Sequence, residues 1–371
     1  AQSNVLWLPH CTSNLPITTA TACPTANRRA RNPVTGQLST NTNLVGTFIP
    51  GANLNNGLAI GIDPDTPKGY RTTKPIDFEP RVGLAYDIFG SGKTVLRLMA
   101  GIYHRQRVGG GTTGGNLVNN PPANRTFTVG PCAGCTIDNL GNVLGGALFS
   151  PGTINAVEVD SKTPTIYNFT IGVQQDIGFK TVLEVSYVGS LARHLGERRN
   201  INQIPDSAKF LDLNPQNRNP FGTVNVNGPH LSGAVGDNFL RPYRGYGDIN
   251  MVMWSGTSNY NGLQVQMNRR YTRGFQFGLA YTFSKTFDYA NDDSSDVNAG
   301  RPYKDFNYGP ADFDQRHILT VNYIYDVPNL SRRWKNGFVK AILDNWQISG
   351  TTSYASGKPK TFNTGTGLNW A

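Results

Sequence analysis

Residues 260–288, YNGLQVQMNRRYTRGFQFGLAYTFSKTFD, read as two strands joined by a very short turn. In the first limb Leu263, Val265 and Met267 share one face, and Gln264, Gln266 and Asn268 share the other. Thr272, Arg273 and Gly274 follow. In the second limb Phe275, Phe277, Leu279, Tyr281 and Phe283 alternate with Gln276, Gly278, Ala280, Thr282 and Ser284. Successive strand side chains point to opposite faces, so a period of two held over about ten residues per limb is a strand signal. A short Gly-containing turn closes such a pair into an antiparallel hairpin. Globular strands are mostly about five or six residues long, whereas a strand of about ten with one apolar and one polar face suits a transmembrane barrel.

The pattern recurs along the chain. In 80–89, Val82, Leu84 and Tyr86 alternate with Arg81, Gly83, Ala85 and Asp87. A tight Gly90-Ser91-Gly92-Lys93 turn leads to 94–104, where Leu96, Leu98, Ala100 and Ile102 oppose Arg97, Met99, Gly101 and Tyr103. This GSGKT is not a phosphate loop: the first Gly of GxxxxGK[ST] would fall on Asp87, and a strand follows instead of a helix. A second hairpin sets Tyr167, Phe169, Ile171 and Val173 beside Leu183, Val185 and Tyr187, turning at 176–180. A seventh strand covers 317–326, and an eighth runs from Trp346 to Tyr354. The connections alternate between short and long, the long ones being about 105–165, 193–258 and 287–316. Outer-membrane barrels have short periplasmic turns and long extracellular loops, and a soluble sandwich has no reason to sort its loops this way. Aromatics near strand ends (Tyr86, Tyr187, Tyr260, Tyr281, Phe283, Tyr325 and Trp346) suit interfacial girdles.

Composition agrees. The chain has 371 residues with 42 Gly, 16 Tyr and 18 Phe, and only 16% charged residues against roughly 25% in soluble domains. No run of 18 apolar residues occurs, which excludes a helical membrane protein but not a barrel, where every second residue faces lipid. The net charge of +10 is scattered without a patch, which gives no footprint for nucleic acid. The start of the chain lacks the features of a signal peptide. The expected organisation is a loop-rich segment over 1–78, a barrel section of about eight strands over 79–360, and the start of a further loop over 361–371.

Four cysteines, Cys11, Cys23, Cys132 and Cys135, lie in Gly/Pro/Thr-rich sequence. Two pairs leave zinc open, but the first pair is far apart in a loop-like segment, and disulfides in an oxidising compartment suit the pattern better. Thr136 after the second cysteine of PCAGC rules out haem attachment. The five histidines are isolated, so no catalytic constellation is present and a non-enzyme is expected. Asp314 and Arg316 in DFDQRH read as a structural pair fixing a loop to the rim. Asp292, Asp293 and Asp296 carry oxygen ligands suited to calcium but lack the Gly and Glu of an EF-hand loop, so no metal or cofactor is expected.

Several of these stretches resemble the barrel of Oar-like TonB-dependent outer-membrane receptors. They are FEPRVGLAYDIFGSGKTVLRLMAGIYHRQR, YNFTIGVQQDI, VLEVSYVGSLARHL, the 260–288 hairpin, DFDQRHILTVNYIYDVP and NWQISGTTSYASGKP. The resemblance spans about 78–360 and implies an all-β fold, a section of an antiparallel transmembrane barrel of about 22 strands. It further implies a Gram-negative outer-membrane location, lipid contact, a TonB-type energising partner, and uptake or passage of a large solute (oligosaccharide, chelate or peptide). Neither a plug domain nor a TonB-contacting segment is visible in these residues. The alternative is an adhesion or binding protein acting through its extracellular loops. In either case Arg97, Glu184, Gln264, Gln266, Asn268 and Asn322 are the candidates to line a polar lumen.

Overall fold

The computed structural model describes residues 6–13, 22–52, 76–105, 151–160, 162–211, 213–222, 233–290, 296–297, 307–329 and 344–360, with a few single positions between them. Eight strands form one antiparallel meander in chain order. They are β1 (Arg81–Asp87), β2 (Thr94–His104), β3 (Thr165–Gly178), β4 (Thr181–Asn200), β5 (Ile249–Thr272), β6 (Phe275–Asp288), β7 (His317–Asp326) and β8 (Gln347–Ala355). Each pairs with its sequence neighbour, and β1 and β8 are the open edges of the arc. No helix among the described residues is long and apolar enough to cross a membrane.

Two turns show why these limbs fold back so tightly. Phe179 and Lys180 join β3 to β4 with φ of 51° and 58°, and Arg273 and Gly274 join β5 to β6 with φ of 53° and 76°. Positive φ at both central positions matches the twist of the flanking strands, and Gly274 adopts it at no steric cost.

The tight ends step along the sheet. Thr94, first in β2, pairs with Gln175, three residues short of the end of β3 at Gly178. Thr181, first in β4, pairs with Arg269, three short of the end of β5 at Thr272. Three residues at ~3.3 Å give ~10 Å of stagger for two strands ~9.6 Å wide, so level turns require a strand tilt near 45°. Transmembrane barrels tilt their strands by about 35–45°.

The expected loop over 193–258 is in part strand. β4 continues to Asn200 and β5 begins at Ile249, so this hairpin stands well above its neighbours. The register shifts between Arg193 and Leu195 and between Leu195 and Glu197. Two short strands flank the extension. Ile154–Val157, from the connection before β3, pairs in parallel with β5 at Ile249–Val252. Asp296–Val297, from the connection after β6, pairs in parallel with Arg198–Arg199 of β4. Each connection therefore crosses the β4–β5 hairpin to reach its far edge. Ile249, Val252, Trp254, Ile154 and Tyr246 are buried there. Strand sequence buried on both faces loses its alternation, which is why it read as a loop.

The segment before β1 also contains order that its composition hid. Leu8–Cys11, Arg28–Arg31 and Leu38–Ser39 form a small antiparallel sheet over a core of Trp7, Ala30 and Ile49. Cys11 and Cys23 are joined as a disulfide. Arg28 links this unit to the β4–β5 connection through a 3.2 Å hydrogen bond from Nη2 to the Phe221 carbonyl. Cys132 and Cys135 lie outside the described residues.

Candidate functional site

The register sorts the arc into two faces. One carries Val82, Leu84, Leu96, Leu98, Ile171, Val173, Val185, Tyr187, Leu263, Val265, Met267, Leu279, Phe283, Leu319 and Val321 in adjoining rows. The other carries all six lumen candidates in three successive rows. Arg97 is paired with Gly172, which pairs with Ser186 and then Gln264. In the next row Gln174, Glu184 and Gln266 stand side by side. In the third, Asn268, Gly278 and Asn322 do so.

Small residues let the polar groups lie across neighbouring strands. A Cβ on Gly172 would sit 2.3 Å from Ser186 Oγ. A Cβ on Gly278 would meet Asn322 Oδ1 at 2.6 Å and Asn268 Oδ1 at 3.0 Å, so the two amides lean over this glycine from both sides. Asp87 and Asp176 also face this way but cap turns, accepting from Gly92 N at 2.5 Å and from Gly178 N at 2.9 Å. Beyond them the charged groups of the three rows are Arg97 and Glu184, of opposite sign. What the surface offers is neutral amide and hydroxyl groups able to donate and accept.

Asp314 and Arg316 do not form the expected pair: no ion pair joins them among the described residues. Asp314 is 5% exposed and its Oδ1 accepts from Thr286 N at 2.8 Å, while the Arg316 carbonyl accepts from Ser284 N at 3.0 Å. β6 extends past the start of β7, and the Asp314 carboxylate stands where a partner carbonyl would be. Asp314→Ala strands a buried N–H and is expected to cost about 1–3 kcal/mol, while Asp314→Asn keeps an acceptor and most of the stability. Thermal unfolding of the two variants separates these outcomes.

Asp288 ends β6 thirteen residues above Phe275, beyond the ~11 residues that span an apolar band of ~25 Å at this tilt. It is buried; that burial, with the nearby Asp312 carboxylate second, pushes its carboxyl up to about 6. Between the ordinary value of 3.8 and about 6 the folded chain holds a proton that the unfolded chain releases. Its contribution to stability is therefore full below the lower value and lost as pH rises through the upper one. Hydrogen-exchange protection near Asp288 and Gly309 should fall across this window, and Asp288→Asn should flatten the dependence.

Spacing gave no hint of a second polar cluster, at the base of the β4–β5 connection. Glu197 is 0% exposed; it pairs with Arg199 and accepts from Ser255 Oγ at 2.6 Å. Asn202, also 0% exposed, donates from Nδ2 to the carbonyls of Tyr243 (3.0 Å), Tyr246 (3.2 Å) and Gly247 (2.7 Å), and accepts from Tyr243 N at 2.7 Å. Arg241 Nη1 bridges Asp248 Oδ1 and the Asn202 carbonyl, both at 2.6 Å. This network ties the segment that joins β4 to β5 onto the raised ends of the two strands. Asp292 and Asp293 lie outside the described residues, and of Asp296 only the backbone is described.

Three solved structures resemble the chain weakly. They are the outer membrane transporter YddB from Escherichia coli (13% identity, TM-score 0.39, covering 67% of this chain and 26% of that one), the alcaligin outer membrane receptor FauA from Bordetella pertussis (11%, 0.34, 76% and 29%) and the FrpB iron transporter from Neisseria meningitidis (11%, 0.32, 68% and 25%). The chain thus spans about a quarter of the length of these proteins. No curated protein matches it. The family model described as "Outer membrane beta barrel domain" matches residues 30–370, nearly the whole chain, which belongs to that family.

Proposed function

We propose that this chain is part of the wall of an outer-membrane transport barrel of the TonB-dependent receptor type, which takes up or passes a large solute. The observation that carries this reading is the placement of Arg97, Glu184, Gln264, Gln266, Asn268 and Asn322 in three adjoining rows behind an apolar outer face. In a barrel wide enough to leave a lumen, such a face lines the passage. The solute is an oligosaccharide, a chelate or a peptide, and the energy comes from a TonB-type partner. The six polar residues act by binding and positioning, with no catalytic role.

The test is uptake by whole cells. Labelled oligosaccharides, ferric chelates and peptides are offered to cells with and without the full-length protein. Accumulation that an uncoupler abolishes, and that Gln266→Trp reduces, supports transport. Surface binding without accumulation would instead support adhesion through the loops, a reading favoured by the disulfide-bonded sheet docked at Phe221.

A further inference from the structure

On the side of the tight turns, β7 and β8 are joined by a longer stretch, 327–346. Phe338, Lys340 and Ile342 of this stretch are helical. Asp344 N donates to the Lys340 carbonyl, four residues back, at 3.2 Å, and Asn345 ends the helical run with φ of 61°. Both ends of the stretch are tied down. Ser331 and Asp344 are buried; Ser331 Oγ donates to Asp344 Oδ2 at 2.5 Å and Ser331 N to Asp344 Oδ1 at 3.1 Å. Val327 N donates to the Trp346 carbonyl at 2.8 Å.

The segment held in this way leaves its large apolar groups in the open. Phe338 is 74% exposed, Ile342 50% and Trp346 60%. At about 3.6 residues per turn Phe338 and Ile342 lie one above the other, and Lys340, also exposed, falls on the opposite side. Trp346 Nε1 donates to the Ile342 carbonyl at 2.6 Å, so the ring keeps no polar group that needs water. Trp346 also extends the outer face of the arc. Phe275, Tyr325 and Ile348 form the last paired row of that face at this end, and Trp346 lies two residues beyond Ile348, opposite Val327. In sequence, 331–346 holds Arg332, Arg333, Lys335 and Lys340, and its one acid is the buried Asp344.

We propose that the β7–β8 connection is an in-plane membrane anchor: Phe338, Ile342 and Trp346 enter the periplasmic-leaflet interface beside the barrel, and the basic stretch draws anionic phospholipid to it. A helix with aromatic and aliphatic groups on one side and cations on the other lies in a bilayer surface with its apolar side about 5–10 Å deep. Continuity decides what covers these groups. Trp346 prolongs a face that already meets lipid, so the same bilayer reaches Ile342 and Phe338 next to it. Cations beside a leaflet favour anionic headgroups, a preference that the uncharged stripe on the strands cannot supply. The barrel wall itself needs only a tight turn here, so the helical segment is an addition to it.

The test uses the full-length protein in vesicles of phosphatidylethanolamine and phosphatidylglycerol. A nitroxide label is placed at Ile342→Cys or at Lys340→Cys and read by power-saturation spin resonance. The label at 342 should collide severalfold more with oxygen, which concentrates in hydrocarbon, than with a water-soluble nickel chelate, and the label at 340 should show the reverse. Phe338→Asp should cut the oxygen preference at 342 severalfold, whereas Phe313→Asp, exposed on the side of the long connections, should leave it intact. Replacing phosphatidylglycerol by phosphatidylcholine should lower the preference. Heat-modifiable gel mobility confirms that each variant is folded. Nickel access at both positions, or an oxygen preference indifferent to Phe338→Asp, would overturn the proposal, and indifference to phosphatidylglycerol would overturn its assignment to anionic lipid. Shielding of 342 that appears only with an added soluble TonB-type periplasmic domain, or only at high protein density, would overturn it in favour of a protein partner or a second copy.

Discussion

Met267→Lys should destabilise the barrel by about 2–4 kcal/mol, while Gln266→Lys, one residue away, should cost under about 1 kcal/mol. Met267 lies five residues above the tight turn, ~12 Å up at a 45° tilt and so near the middle of the ~25 Å apolar band. Its register partners are Leu183 and Leu279, so a lysine there faces hydrocarbon with no acceptor beside it. Gln266 points the other way, between Glu184 and Ala280, where the added ammonium meets a carboxylate. Denaturant titration of folding into lipid vesicles measures both variants. Equal costs, or a larger cost at Gln266, would mean that the apolar stripe packs against protein instead of lipid.

Glu197→Ala should cost about 3–5 kcal/mol, and the loss should be confined to the raised part of β4 and β5. Glu197 is wholly buried, and the Arg199 side chain is 14% exposed. Removing the carboxylate takes one charged partner from the largely buried Arg199 guanidinium and the acceptor from Ser255 Oγ. Glu197→Gln keeps an acceptor and should cost less. Joint replacement of Glu197 and Arg199 by Met should recover much of the loss, because an apolar pair has no charge to leave uncompensated. Hydrogen exchange resolves the effect by position. Protection at 195–200 and 250–256 should fall, and that of 260–288 should hold. A uniform loss over both regions would show that the extension and the barrel wall unfold as one unit.

The membrane part of the fold is legible in the chain because one physical constraint repeats along it. Lipid on one side and polar surface on the other force a period of two, and the tight turns fix the register that keeps the stripes aligned. The 260–288 hairpin states this rule in full: Leu263, Val265 and Met267 fall in line with Phe283, Tyr281 and Leu279. The six polar candidates come from alternation alone, and they share one face because every neighbouring pair of strands is in the register that their patterns require. The reading of Asp314 and Arg316 as partners failed for a related reason. Two residues apart in an irregular segment, they have no period to place them, and the carboxylate was taken by an open N–H on β6.

The sequence by itself thus determined the eight amphipathic strands, their turns and their two faces, since local alternation and lipid set these without reference to distant residues. Tertiary structure alone decided the raised β4–β5 hairpin, the crossing strands at 154–157 and 296–297, and the buried Glu197 and Asn202. There the chain folds against itself instead of against lipid, and backbone groups far apart in sequence satisfy one another, so no local pattern records the outcome.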